Sequence, residues 1–183
     1  IVSTGMAQII KGSPVMPYVS GVWGCELIES ENAKGEKEIS EVGYTIDNTT
    51  KTRALFEINK GVNLRDGVNV NTKVPEEYRR VHFNNMIYVA DGPSDIPAFS
   101  VINQNKGATF AIYPKGNVEA LRQVERMRED GRINMYAEAD YSINTTAYLW
   151  LCNKIKEFAD RIRDEERAKI AKIASNGIPK HLI

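Results

Sequence analysis

The hydrophobic and polar positions of the second half of the chain alternate between two periods, which predicts alternating strands and helices. Short apolar runs rich in β-forming residues predict strands at Met86 to Ala90, Ala108 to Tyr113 and Arg132 to Asp140. Apolar residues at helical spacing predict a helix from about Asp95, with Ser94 as its cap, and a second helix from Asn117 to Gly131. The first run is continuous, which is typical of a strand covered on both faces in a parallel sheet.

The first half of the chain gives weaker signals. Two β-prone runs, Val22 to Ile28 and Glu38 to Ile46, flank a polar segment and predict an antiparallel hairpin. Thr49 or Thr50 is predicted to cap a helix over Lys51 to Asn59 that stops at Gly61. Ile1 to Ser3 is predicted as the end of a core strand, followed after Gly5 by a short helix over Met6 to Ile10.

The element order predicts an α/β fold. We expect a three-layer, Rossmann-like domain with a mainly parallel central sheet, helices on both faces and a small β-hairpin. This domain is expected to cover residues 1–183, with a C-terminal helical region at 145–176 that ends at Gly177 and Pro179.

Composition narrows the class of protein. Of the 183 residues, 42% are hydrophobic and 26% charged, as in soluble globular domains. Basic and acidic residues balance at 24 each, so no overall field attracts nucleic acid or an anionic membrane. Cys25 and Cys152 are too few for a disulfide framework, and no membrane-spanning run is visible, so the expected location is the cytoplasm.

Two carboxylates stand where the central strand is predicted to end. Asp91 follows the strand and Asp95 begins the next helix, at the edge of an α/β sheet where ligands bind. Mg²⁺ takes one or two carboxylates and completes its shell with water and phosphate oxygens, so the pair forms a candidate metal site. The alternative is an ordinary turn with Asp as turn former and cap.

Two other places suggest anion binding. Ser3, Thr4 and Gly5 are predicted at a strand end and helix start, where hydroxyls and free N–H groups can hold an anion; the alternative is simple capping. Lys51 is predicted in the first turn of its helix, where the dipole disfavours a cation. It either neutralises a phosphate or is a solvated partner of Asp47.

His82 and Trp23 are the remaining conspicuous side chains. His82 has no nucleophile beside it in the sequence, so a structural role is favoured over catalysis. Trp23 is predicted to pack rather than to stack on a ligand.

Three features follow one another along the chain: Ser3 before Thr4-Gly5, Lys51 at a helix start, and Ala90-Asp-Gly-Pro-Ser-Asp95 after a strand. In this order of features the chain resembles the haloacid-dehalogenase-like hydrolase superfamily, particularly its phosphoserine-phosphatase-like branch. The resemblance covers most of residues 1–113. It implies that Ser3 and Lys51 bind and stabilise a transferring phosphoryl group and that Asp91 and Asp95 bind a Mg²⁺ ion, with Asp95 in a catalytic role in which it holds a metal-bound water or steers Lys51. The implied activity is hydrolysis of a small phosphomonoester through an aspartyl-phosphate.

The sequence departs from that family in two ways. Ala90 replaces the usual Gly, and no Asp-x-Asp motif with the nucleophile and general acid precedes Ser3. The expectation is that the nucleophile strand, and a substrate-selecting cap, lie upstream of this chain. Lys60 and Lys73 remain rivals of Lys51, and the substrate and oligomeric state are open.

Two other function classes stay open. One is a phosphate- or nucleotide-binding α/β domain without catalysis, which would keep the anion site but need no nucleophile. The other is an interaction module that uses the charge-rich helix from Lys154 to Lys172.

Overall fold

The computed structural model describes residues 1–62 and 64–176, so Gly177 and Pro179 lie outside the described residues. Its strands are β1 (Val2–Met6), β2 (Trp23–Glu31), β3 (Lys37–Tyr44), β4 (Ile87–Ala90), β5 (Ala108–Tyr113) and β6 (Met135–Glu138). Its α-helices are α1 (Ala7–Lys11), α2 (Asn48–Lys60), α3 (Ile96–Gln104), α4 (Val118–Glu129) and α5 (Thr146–Asn176).

The strands form an α/β architecture with two sheets. In the first, β2 pairs in parallel with β1 and antiparallel with β3, which confirms the predicted hairpin. In the second, β4, β5 and β6 are all parallel, as the alternation of strands and helices predicted. The expectation of one central sheet was wrong for the described residues, because β1 and β4 are not paired with each other and each is an edge strand.

Helices cover both faces of the second sheet. On one face, Phe99 of α3 and Val124 of α4 pack with Ala111 of β5, and all three are fully buried. On the other face, Trp150 of α5 stacks on Phe110 of β5 with ring centroids 4.8 Å apart. Burial of these aromatic and branched side chains supplies the main hydrophobic stabilisation of this half.

Helix α2 joins the two sheets. Its Leu55 packs in one cluster with Met86 and Ile102, and α2 also contacts β1. Asp47, rather than Thr49 or Thr50, is the N-cap: its carboxylate accepts from the N–H groups of both threonines, and it forms a capping box with Thr50 three residues later. Gly61 ends the helix in the left-handed conformation, at φ 77°, as predicted.

Two local predictions need correction at β4 and α3. The continuous apolar run of β4 predicted burial on both faces, but Val89 is 36% exposed because the strand has a neighbour on one edge only. Ser94 does not cap α3: the N-cap position belongs to Asp95, which makes no side-chain capping bond. By contrast, Asn117 caps α4 as predicted, by accepting from the N–H of Ala120.

Candidate functional site

A cavity of about 710 Å³ opens between the edge strands β1 and β4, and its wall includes one side of α2. We call it the β1/β4 cleft. Its lining includes candidate chemical groups from three separate parts of the sequence: Ser3, Thr4, Lys51, Asp91 and Asp95. Gly5 is not part of the lining. Residues far apart in the sequence thus share one cavity, as the predicted site requires.

Lys51 and Asp95 form a buried ion pair in this cleft. The Lys51 ammonium lies 2.9 Å from Asp95 Oδ1 and 3.0 Å from Oδ2, and the two residues are only 7% and 2% exposed. The alternative of a solvated Lys51 paired with Asp47 was therefore wrong. A cation at this early position of α2 is accounted for by a carboxylate that folding brings from 44 residues away.

The carboxylate of Asp95 has two further donors. The Tyr88 hydroxyl donates to Oδ1 at 2.6 Å and the Ser94 hydroxyl donates to Oδ2 at 3.2 Å. Each oxygen therefore accepts two hydrogen bonds, which fills the roughly four lone-pair positions of a carboxylate. In this arrangement Asp95 holds Lys51, and its direct service to a metal ion stays a prediction. Burial is the largest cause of a raised pKa at Tyr88, and the hydrogen bond to Asp95 is the second largest. The hydroxyl therefore stays protonated.

Asp91 is the free carboxylate of the cleft. It directly follows β4, is exposed, and has no hydrogen bond or ion pair within residues 1–62 and 64–176. It can therefore offer both oxygens to a cation. The described part of the chain contains no group of three acidic, His or Cys side chains that could hold a metal by itself, so Asp91 contributes at most part of a coordination shell.

The backbone around Ser3 differs from the prediction. Residues 3 to 5 lie within β1 rather than at a helix start, because the strand continues to Met6 through a shift in its pairing with β2. The Ser3 hydroxyl accepts the N–H of Gly5 at 3.0 Å, so that N–H is not free for an anion. Neither the helix-terminus anion site nor the capping alternative is present; Ser3 and Thr4 instead line the cleft from consecutive positions of an edge strand, where side chains alternate between the two faces of the sheet.

Lys60 and Lys73, the other two candidates for the phosphate-binding lysine, lie outside the cleft. Lys60 donates to the carbonyl groups of Val70 and Thr72 at 2.6 and 2.9 Å, which holds the loop after α2. Lys73 is exposed, and neither residue is part of the lining of the β1/β4 cleft. Among the three candidates, Lys51 is the one that the fold brings to the acidic residues.

The other conspicuous side chains lie outside the cleft. His82 Nδ1 is 3.1 Å from a carboxylate oxygen of Glu76, and the Trp23 indole donates to Glu57 at 2.8 Å. Both contacts tie neighbouring segments together, in line with the structural roles favoured for them.

Tyr88 is the residue of this site that the sequence reasoning missed. It is a phenol inside an otherwise aliphatic strand, and a buried Tyr hydroxyl usually finds a partner. That general rule gives a signal that Tyr88 needs an acceptor. The sequence alone does not show that the acceptor is Asp95, because the direction of the side chain depends on the fold.

The two edge strands run in the same direction along α2. Ile58 in the second half of α2 packs beside Met86, just before β4, and lines a second cavity with Ile1. In the middle of β1, the Cys25 thiol accepts from the N–H of Ile46, which lies just before α2, and donates to Thr4 O. The end of β4 is tied to the same place by Asp95 and Lys51. Both strands therefore end beside the N-terminus of α2.

Comparison with known proteins finds similarity to a bacterial protein. The chain is 37% identical, over 168 residues, to a protein of Borreliella burgdorferi described as an uncharacterized protein; the match covers 85% of this chain and 56% of the relative. The chain thus spans little more than half of that relative's length. No family profile matches the chain, and no solved structure matches it. None of the described helices has the length and apolar composition needed to cross a membrane.

Proposed function

We propose that this chain forms most of a Mg²⁺-dependent phosphomonoester hydrolase of the haloacid-dehalogenase-like type. The observation that carries the proposal is the shared cleft: a hydroxyl, an ammonium group and a free carboxylate, on Ser3, Lys51 and Asp91, line one cavity between two edge strands. Phosphoryl transfer needs cations and donors around a charged group rather than elaborate covalent machinery, and this set matches that need.

Lys51 and Ser3 bind the phosphoryl group in this proposal. The ammonium of Lys51 stands at the cleft wall with its charge fixed by Asp95, so it can donate to a phosphate oxygen without first being oriented. The Ser3 hydroxyl already accepts from Gly5, which leaves its own proton for a second phosphate oxygen. Thr4 also lines the cleft, and its contribution to phosphate binding is part of the same proposal.

Asp91 is the residue of this chain that fits a Mg²⁺ ion. Its carboxylate is exposed and unpaired among the described residues, which suits a hard cation that keeps water and phosphate oxygens in its shell. When bound, Mg²⁺ supplies positive charge that allows an anionic nucleophile to approach an anionic phosphate. The described residues hold no group of three acidic, His or Cys side chains that could bind a metal, so we propose that the upstream nucleophile segment supplies further oxygen ligands.

The nucleophile is proposed to be an Asp on a strand that lies upstream of residue 1. Its carboxylate oxygen attacks phosphorus, the bond to the substrate oxygen breaks, and a second Asp gives that oxygen a proton. Water then attacks the aspartyl-phosphate, releasing phosphate and restoring the carboxylate.

The cleft has the form that an added strand needs. β1 and β4 each have one open edge and both line the cleft, so we propose that the upstream strand lies between them and pairs with both, at the usual spacing of about 4.8 Å. Val2, Ile87 and Val89 line the same space and offer apolar contacts. Such a strand would also bury β4 as its continuous apolar sequence predicts.

The test uses a longer form of the protein that includes the upstream segment. We expect it to hydrolyse members of a phosphomonoester panel with Mg²⁺ and to stop when the metal is chelated. Asp91→Asn should lower the rate about a hundredfold or more without changing the fold. Asp164→Asn, at a side chain that is 76% exposed on α5, is the matched control and should keep the wild-type rate.

A folded longer form without metal-dependent turnover on the panel would contradict the proposal. If it still bound inorganic phosphate through Lys51, the non-catalytic phosphate-binding function would replace it. Wild-type turnover in Asp91→Asn would remove Asp91 from the metal site.

A further inference from the structure

We propose that Tyr88 is a positioning residue: its hydroxyl orients the Asp95 carboxylate so that the Lys51 ammonium is held in one place at the wall of the β1/β4 cleft. The inference is based on contacts among Tyr88, Asp95 and Lys51, all within this chain. Its consequence for catalysis rests on the function proposed above.

Asp95 directs its carboxylate away from the helix that it begins. An Asp at a helix N-cap ordinarily turns its carboxylate to the free N–H groups of the first turn. At the N-cap of α3, Asp95 makes no such bond, and its carboxylate is directed to Lys51 instead. A carboxylate torsion is broad and roughly two-fold, so some other contact must select this orientation.

Two hydroxyl donors make that selection. Tyr88 binds Oδ1 at 2.6 Å and Ser94 binds Oδ2 at 3.2 Å, so the two oxygens are held from different sides. The result is a nearly symmetrical pair, with Lys51 at 2.9 and 3.0 Å from the two oxygens. Because the Tyr88 contact is the shorter, it is the stronger constraint.

The Tyr88 hydroxyl is itself held in place by packing. Its ring meets that of the fully buried Phe99 edge to face, with centroids 5.4 Å apart and planes at 87°. This contact belongs to the ring and not to the hydroxyl, so Tyr88→Phe can keep the packing and remove only the donor. That substitution therefore separates positioning from packing.

The consequence falls on Lys51. Its ammonium has three N–H donors: the symmetrical carboxylate engages two of them, and the third has only a long contact, 3.5 Å, to the Ser94 hydroxyl, which a phosphate oxygen in the cleft can replace. Without the Tyr88 hydroxyl, Oδ1 loses a partner and the carboxylate can turn away from its symmetrical contact with Lys51. The ammonium then loses its fixed direction, although the residues remain buried.

The test compares Tyr88→Phe with Tyr136→Phe, a matched substitution on β6 whose side chain does not line the cleft. The readout is the ammonium signal of Lys51 in protein labelled with ¹⁵N-lysine, assigned by its loss in Lys51→Arg. We expect Tyr88→Phe to speed hydrogen exchange of this ammonium about tenfold, as for loss of a hydrogen bond to a charged group, and Tyr136→Phe to leave it unchanged. Backbone amide spectra report whether the fold is kept.

The kinetic readout is made on the longer form. If the hydrolase proposal holds, Tyr88→Phe should lower kcat about tenfold and leave KM within about twofold, because the affected donor acts mainly on the transition state. Altered exchange at Lys51 without turnover in the wild type would contradict the hydrolase proposal and support the positioning role. Unchanged exchange and unchanged kcat in Tyr88→Phe would overturn the positioning role.

A second substitution serves if Tyr88→Phe does not fold. 3-Fluorotyrosine at position 88 keeps the ring and makes the hydroxyl a stronger donor, so the Lys51 ammonium resonance should shift relative to the wild type. A resonance at the wild-type position would overturn the proposal.

Discussion

At the scale of single residues, the buried pair of Lys51 and Asp95 is the most consequential feature of the chain. Both side chains are more than nine-tenths buried, so each charge depends on the other and on the hydroxyls around it. Removing one member of such a pair leaves a charge without water or a partner, which costs more than the pair contributes to stability.

We predict that Asp95→Asn lowers the free energy of unfolding by about 3–5 kcal/mol, measured by urea denaturation. Replacing both partners, as Lys51→Met with Asp95→Leu, should cost less than the single substitution because no unpaired charge remains. Glu29→Gln is the control, because Glu29 pairs with Lys37 at the surface, where the Glu29 side chain is 60% exposed and the Lys37 side chain 76% exposed. We expect this substitution to change the free energy of unfolding by no more than about 0.5 kcal/mol. Equal losses in Asp95→Asn and Glu29→Gln would contradict this account.

At the scale of elements, the start of α2 and the pairing of β1 with β2 place the groups of the cleft. Asp47 fixes where α2 begins and therefore where Lys51 stands. Gly24 on β2 lies against β1 so closely that an added Cβ would be 2.9 Å from the carbonyl oxygen of Gly5 and 3.0 Å from the backbone of Ala7. The position of Ser3 depends on this close approach.

The cap of α2 predicts a pH dependence. Hydrogen bonds from Thr50 hold the pKa of Asp47 below its ordinary value of 3.8. Since the folded pKa is the lower one, the stabilisation is fully present above 3.8 and is lost as the pH falls through the folded value. Asp47→Ala should therefore be less stable than the wild type near neutral pH, and this difference should shrink below about pH 4.

Asp47→Asn is the matched variant, because Asn caps helices but does not titrate. Thermal unfolding of all three proteins across pH measures both effects. A wild-type advantage over Asp47→Ala that persists at the lowest pH would show that the carboxylate charge is not its source.

The backbone contact of Gly24 predicts a steric effect. We expect Gly24→Ala to lower the free energy of unfolding by about 1–3 kcal/mol, because the new methyl group must displace the backbone of β1. Gly12→Ala is the control: its added Cβ would meet the nearest atoms at 3.6 Å, an ordinary contact. A loss in Gly12→Ala as large as that in Gly24→Ala would contradict the steric explanation.

At the scale of the whole molecule, the notable feature is that two sheets present open edges to one cleft. Helix α2 connects them from one side, and α5 ties the start of β4 through Arg161, which donates to Asn84 O and Asn85 Oδ1. An open, apolar parallel edge is otherwise avoided in folded proteins, since it exposes unpaired backbone groups.

We predict that backbone amides of β4 exchange faster in residues 1–183 than in the longer form that carries the proposed upstream strand. Pairing on the open edge would protect them, whereas β6, at the other edge of the same sheet, should exchange alike in both forms. Hydrogen–deuterium exchange resolved to peptides measures both regions. Equal exchange of β4 in the two forms would contradict insertion of a strand in the cleft.

The hypothesis that α5 serves as an interaction module stays a prediction. Ile155, Ile170 and Ile173 are more than half exposed, while Phe158 and Ala147 of the same helix are buried. Deletion from residue 151 onward would remove both sets. Substitution of Ile170 and Ile173 by Gln, which spares the packed residues, is therefore the sharper test for loss of a captured partner.

The sequence by itself determined the local structure of this protein. The alternation of strand and helix, the hairpin, the Asn117 cap and the Gly61 stop follow from side-chain periodicity and from backbone preferences within a few residues. The wrong prediction of the α2 cap, Thr49 or Thr50 instead of Asp47, also concerns only a few neighbouring residues. Two or three adjacent residues can each cap a helix, and only their relative geometry selects one.

Only the tertiary structure decided which distant groups meet. The partner of Lys51 lies 44 positions away, and Tyr88 points to Asp95 rather than to solvent. Strand β4, whose continuous apolar run predicts burial on both faces, is an edge strand. The physical reason is that long-range pairing depends on how all elements pack together, so the residues on either side of Lys51 or Tyr88 carry no information about the partner.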